Sequence, residues 1–369
     1  MSRLNIRILL FSLLALGAAL ALPSAAEAMS CRAHASGAFV CDARESQPAF
    51  SAPRYPYGSV YFSTSYVWLD DFTDLYTQPS FDAPVDGTLE AGLLYSTVDG
   101  LQRDAAGNLW YGVRGKWAPA ANVHPIEESS LAGVQIHEMP GRPFGWVRHS
   151  VRAAEEPGTF ADESVPWTWR YSFVGIYDVA RGPEGHIWYD IGGGQWIKDV
   201  YLSLVDVAER PEGVDEDDFW VEVDLYEQVF AAYEGDRIVY AGLVATGLDR
   251  WPTNEGLFEV WAREEETPMY GGVSGDDYYY LEDVPYAMFF DEEIALHGAY
   301  WHNDFGAKRS HGCVNMTPRD AEWVFYWSEN APDGTLKVSV HSTDPDHFLV
   351  KYEADLQLNL RERLLSNAN

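Results

Sequence analysis

Cysteine is scarce in this 369-residue chain, which has only Cys31, Cys41 and Cys313. That excludes a cysteine-rich disulfide scaffold, and no Cys-x-x-Cys or His-x-x-x-His spacing supplies a compact zinc site. Basic residues are also few: 25 Lys and Arg against 57 Asp and Glu, for a formal net charge of −32. A nucleic-acid partner needs a positive surface, so that class is excluded, and so is attraction to anionic lipid. Beyond the N-terminus no apolar run approaches the length of a transmembrane helix. Extended helical periodicity is almost missing too. What the chain does have is 47% apolar residues, with 14 Trp and 22 Tyr, many in short strand-like runs. Its length suits two or three domains.

The N-terminus reads as an export signal over residues 1–28. Arg3 and Arg7 precede an apolar stretch from Ile8 to Leu22, and small residues follow up to Ala28. The bland alternative, an uncleaved anchor, suffers because the stretch is short for a span. After cleavage no lasting membrane span is expected, and the protein belongs at the cell wall or envelope exterior. In that oxidising setting Cys31 and Cys41 are candidates for a disulfide, which leaves Cys313 as the odd thiol.

Residues 29–60 are rich in Ala, Ser, Pro and Gly and read as a tether. Residues 61–130 and 131–208 then form two related halves. Trp110 and Trp188 are 78 positions apart, and Trp117 and Trp196 are 79 apart, each pair within a strand, glycine turn, Trp-Tyr strand and closing strand. This pattern resembles bacterial SH3-like β-barrel modules. As such modules the halves would contact wall glycan or peptide and target the rest of the chain to the wall. The competing readings are one irregular all-β domain, and tryptophans that merely fill small cores. Residues 209–218, with Pro, Gly and six acidic residues, read as a solvated linker.

A β-rich domain spans 219–350, with a peripheral extension at 351–369. Trp220-Val-Glu-Val-Asp-Leu225 alternates as a half-buried strand does, and the Glu234-Gly-Asp236 turn predicts a hairpin. Residues 264–285 read as a long polar binding loop that carries Tyr278, Tyr279 and Tyr280. Thr317 and Pro318 suit the N-cap and first position of a short helix, with Ala321, Val324, Phe325 and Ser328 on its inner face.

The chemistry concentrates in Ser310-His-Gly-Cys-Val-Asn315, with His297 sixteen positions before Cys313. A thiol nucleophile needs a base, and the base needs a group that fixes its tautomer. Gly312 removes bulk beside the sulfur, and the amides of His311, Gly312 and Cys313 are candidates to face an oxyanion. Two other readings use the same residues: an inert buried cysteine, and a zinc site from His297, His302, His311 and Cys313.

His297-Gly298-Ala299 with the Ser310–Asn315 run resembles the active-site signature of L,D-transpeptidase catalytic domains, over roughly residues 219–350. The resemblance implies a mainly β fold and no metal or cofactor. It implies Cys313 as nucleophile, His297 as base and the Gly298 carbonyl as orienting group. Ser310, His311, Gly312 and Asn315 would support the site, and the 264–285 loop would cover the cleft. Tyr278, Tyr279, Tyr280, Trp301 and His302 are candidate substrate contacts. The implied reaction cross-links peptidoglycan stem peptides through a Cys313 thioester. An L,D-carboxypeptidase that trims tetrapeptides and a non-enzymatic wall-binding protein are the alternatives. With His297 as the base, Cys313 is expected to be a low-pKa thiolate.

Overall fold

The structure, a computed structural model, describes residues 30–33, 39–42, 50–53, 65–127, 129–273 and 278–343. The export signal, the 351–369 extension, most of the tether and the expected strand at 348–350 lie outside the described residues. The chain divides into two units, Met1–Gln47 and Pro48–Asn369. In the first, strands Ser30–Ala33 and Phe39–Asp42 pair antiparallel with Cys31 directly opposite Cys41.

The second unit is mainly β with one α-helix among the described residues. Its central layer runs through Phe219–Asp224, Val229–Glu234 and Arg237–Ala245, the expected hairpins, then Val314–Met316, Ile294–Gly298 and Tyr279–Asp291. Phe219–Asp224 is not half-buried as its alternation suggests: all but its first residue are buried. Val221, Val223 and Phe230 face a core completed by the helix. Trp220, Val229 and Tyr233 face a second core that takes Phe144, Trp146 and Val205 from the N-terminal region. A sheet covered on both faces loses the polar stripe that alternation would otherwise show.

That shared core is why the N-terminal region is not a pair of detached modules. Strands Tyr66–Leu69, Leu93–Thr97 and Val123–Pro125 extend the central sheet itself, with Leu93–Thr97 running parallel to Tyr279–Asp291. Val134–Ile136 pairs with Arg237–Ala245. The internal duplication is nevertheless present in detail. Leu109–Val113 and Ile187–Asp190 each lead through a second strand and a one-turn 3₁₀ segment to a last strand. Trp110 and Trp188 are buried, with indole Nε1 donating to Asp104 and Glu184 respectively. Both therefore fill cores. Arg103 and Arg181 donate to the Gly107 and Gly185 carbonyls at equivalent places.

The acidic segment 209–218 is not a solvated linker but packs along the 219–343 β region. Arg210 pairs with Asp236, Lys337 pairs with Asp218, and Val214 is buried. The expected 264–285 loop is mostly a β-hairpin, Ala262–Gly271 against Tyr279–Asp291, with 274–277 outside the described residues. Helix Pro318–Ser328 starts as anticipated, the Thr317 hydroxyl accepting from Asp320 N at 3.1 Å. Asp320 does more than close the first turn. Buried, it accepts from the Tyr240 hydroxyl at 2.6 Å and from Gly133 N at 2.7 Å, tying helix, sheet and N-terminal region together.

Candidate active site

Ile294–Gly298 and Val314–Met316 are adjacent parallel strands, so a crossover must join them. Residues 299–313 are that crossover, and they end in the Ser310–Cys313 turn. His297 is opposite Asn315 in the ladder. Side chains alternate along an extended segment, so Cys313, two residues before Asn315, falls on the same side as both. Cys313, His297 and Asn315 line one cleft of about 1140 Å³ with Ser310, His311, Trp301 and Tyr279.

His297 is buried, with ring Nδ1 3.3 Å from the Gly298 carbonyl oxygen. A carbonyl only accepts, so Nδ1 carries the hydrogen and Nε2 keeps its lone pair. Burial lowers the imidazole pKa to about 4, against a smaller opposing effect of that hydrogen bond. Gly298 itself is required by space: a Cβ there would come within 2.9 Å of Pro285 Cγ and Pro318 Cα.

Cys313 is free and partly buried, its thiol directed at the Glu293 carbonyl at 3.7 Å. Burial pushes the thiol up to about 11, partly offset by the Ala295 amide and reinforced by the Glu293 carboxylate. Both shifts favour the uncharged forms, so the pair rests as thiol and neutral imidazole. Desolvation therefore works against the expected low-pKa thiolate, because it penalises both charged partners.

Gly312 has φ +125°, while a Cβ there would make only ordinary contacts with Ile294 and the Pro252 carbonyl. Backbone conformation, not bulk beside the sulfur, calls for glycine. Its amide donates to Ser310 Oγ at 3.1 Å, and Ser310 Oγ donates to the Cys313 carbonyl. The Gly312 amide is thus committed inside the turn rather than turned to an oxyanion. Thr253, which the sequence did not single out, holds the turn from outside. Its hydroxyl donates to the Gly312 carbonyl at 2.6 Å and accepts from Gly247 N at 3.0 Å. The Thr246 carbonyl accepts from the amides of both Arg309 and Ser310.

His311 is exposed, its ring 3.8 Å from Trp251 and 5.0 Å from Tyr279 between centroids. Trp301 stacks on His297 at 5.6 Å. Tyr278 and Tyr280 are not among the cleft-lining side chains; both pack toward the N-terminal region, where Arg114 lies over the Tyr280 ring. Alternation along the strand separates them from Tyr279. His302 lies under the cleft rather than in it. Its Nδ1 accepts from Asp304 N at 3.1 Å, which leaves Nε2 as the protonated nitrogen, 3.0 Å from the Asn315 side-chain amide. The atom nearest Nε2 is Asn315 Nδ2, and because an Nε2–H needs an acceptor, this tautomer requires the amide turned so that its oxygen faces the ring. Two sets of charged lining residues also went unnoticed in the sequence: Arg250, Lys308 and Arg309, and Asp291, Glu292 and Glu293. Short charge runs of this kind usually mark only a solvated surface, so nothing local signals that they converge on a cleft. Among the described residues no group of three or more His, Cys, Asp or Glu could hold a metal ion.

Residues 218–340 match the YkuD family model, the L,D-transpeptidase catalytic domain. The similarity to an L,D-transpeptidase catalytic domain is thus confined to this segment. YciB of Bacillus subtilis, classed with the L,D-transpeptidases, is 26% identical over 145 residues, 32% of this chain and 64% of that protein. A crystal structure of the Enterococcus faecium L,D-transpeptidase is 26% identical over 34% of this chain and 50% of that one, with a TM-score of 0.30. An L,D-transpeptidase from Mycobacterium smegmatis is 18% identical, covering 57% and 90%, at 0.31. The chain thus spans about half the length of the Enterococcus enzyme. Residues before 218 lie outside the family match.

Proposed function

We propose that the protein is an exported peptidoglycan L,D-transpeptidase that acts through a Cys313 thioester. The observation that carries the reading is a free thiol sharing one cleft with a buried imidazole whose tautomer the Gly298 carbonyl fixes. Because the resting pair is neutral, proton transfer accompanies attack instead of preceding it. The thiol turns from the Glu293 carbonyl toward the donor peptide. His297 Nε2 takes its proton as sulfur bonds to the carbonyl carbon of the third stem residue. The oxyanion is met by the Cys313 and His311 amides, the Gly312 amide being occupied. Collapse breaks the peptide bond, His297 returns the proton to the departing amine, and a thioester remains. An acceptor amine then gives a proton to His297 and attacks the thioester, which releases the thiol and forms the cross-link. Ser310 and Asn315 shape the site, and Tyr279, Trp301 and His311 are the aromatic surface on which the peptide lies.

Incubation of the purified protein with tetrapeptide muropeptides tests this. Cross-linked dimers are expected together with release of the terminal residue. Tripeptide products without dimers would make the enzyme an L,D-carboxypeptidase; no conversion would leave a wall-binding protein.

A further inference from the structure

The imidazole of His297 is not held by its own carbonyl partner alone. One of its faces is covered by Trp301, stacked at 5.6 Å with an interplanar angle of 29°. Trp301 and Tyr300 open the crossover that leads to the nucleophile, and irregular crossovers have few intrinsic restraints. Here the restraint comes from far earlier in the chain. Tyr95 donates its hydroxyl to the Trp301 carbonyl at 3.3 Å. Tyr66 stacks on Tyr300 with centroids 3.7 Å apart, and its hydroxyl donates to the Asp283 carbonyl. Tyr95 also meets the Tyr300 ring edge-on at 6.2 Å and itself lines the cleft. Both tyrosines sit on strands that extend the catalytic sheet, so rigid elements carry them.

We propose that Tyr66 and Tyr95, both outside the 218–340 family match, are positioning residues for His297. They act by clamping Tyr300 and Trp301 so that the indole stays against the imidazole. On this reading the N-terminal region is a working part of the active site, whatever else it contacts. The inference rests on His297 being the base, as in the reading above.

The test uses the full chain and two measurements, imidazole titration by NMR and the rate of Cys313 acylation by a carbapenem. The His297 signal is assigned by its loss in His297→Gln. The groups that bear on His297 are the Gly298 carbonyl on its own strand, Cys313 across the cleft, and His302 on the crossover, which is itself buried. Arg309 acts on Tyr95 and His302, and no charged side chain acts on His297 directly. Removal of the cover admits water to the ring, so Tyr95→Ala should shift the His297 midpoint upward from about 4 by at least one pH unit. It should also slow acylation about tenfold or more. Tyr95→Phe, which keeps the ring and loses only the bond to Trp301, should move both in the same direction by less. Thr97→Ala is the control. It removes the Thr97 hydroxyl bond to Asp283 in the same interface without touching Tyr300 or Trp301, and should match wild type.

An unmoved His297 midpoint in Tyr95→Ala, or an equal shift in Thr97→Ala, overturns the proposal. If Tyr95→Ala does not fold, Tyr95→Phe decides: wild-type titration in that variant overturns it. Failure of the wild-type protein to be acylated would count against the acyl-transfer reading and leave the imidazole titration to judge the clamp.

Discussion

The two sides of the cleft are built differently. On the motif side, His297 and the 310–313 turn are held by hydrogen bonds among residues close in sequence and Asn315 by the ladder with His297, with Thr253 and Thr246 as supports. On the facing side, Leu93, Tyr95 and Tyr279 come from a hairpin and an N-terminal strand that meet through parallel pairing across nearly two hundred residues. The motif side carries the reacting groups, and its precision is local. The facing side sets the shape and dryness of the cleft, and its precision is borrowed from the whole fold.

If that contrast is right, changes on the motif side should affect chemistry most. His297→Ala should lower the rate of Cys313 acylation by about 10³ or more, whereas His311→Ala should cost only about 10-fold, since its ring stacks on Trp251 rather than taking the proton. Rates for both variants under single-turnover conditions check this, and equal losses would erase the distinction. Thr253→Val should come next. It leaves the buried Gly312 carbonyl and Gly247 amide without their shared hydroxyl, and should cost about 10- to 100-fold in kcat and about 1–3 kcal/mol of stability. Thr253→Ser should restore most of both.

The pH dependence sharpens the same side. With the thiol raised to about 11, iodoacetamide alkylation should climb steadily from pH 6 through pH 10. A preformed ion pair would instead give a plateau from mildly acidic pH. Acylation by a carbapenem should fail only as pH drops through about 4, where His297 is protonated.

The smallest effect belongs to the interface behind the cleft. Glu227 is buried and accepts from Leu204 N of the N-terminal region at 2.8 Å, and burial raises its carboxyl to about 8. A raised folded pKa means its contribution is complete below the unfolded value near 4.5 and is lost as pH rises through 8. Glu227→Gln should therefore be more stable than wild type by about 2 kcal/mol at pH 9, with less than about 1 kcal/mol of difference at pH 5. Denaturant midpoints at the two pH values measure it.

What was legible in the sequence follows the same division. The Ser310–Asn315 run, the His297 strand and the Thr317 cap are each defined within a few residues, and local chemistry marks them. The burial of Phe219–Asp224 on both faces could not be read from its alternation, because the second cover arrives from Phe144 and Trp146. Polar residues at 264–266 suggested a loop, yet they are exposed positions on the outer strand of a hairpin whose other strand is mostly buried. The occupied Gly312 amide was hidden because a serine two residues back can either face the cleft or cap its own turn. Tyr66 and Tyr95 are two of 22 tyrosines, and nothing around them marks their place beside Tyr300 and Trp301.

The central claim, that Cys313 is an acyl-accepting nucleophile, is met most directly by intact-mass analysis after exposure to a carbapenem. A single adduct with the mass of the intact or fragmented drug is expected, mapping to the peptide that contains Cys313 and absent from Cys313→Ala. No adduct on the wild-type protein, or one that persists in Cys313→Ala, would contradict it.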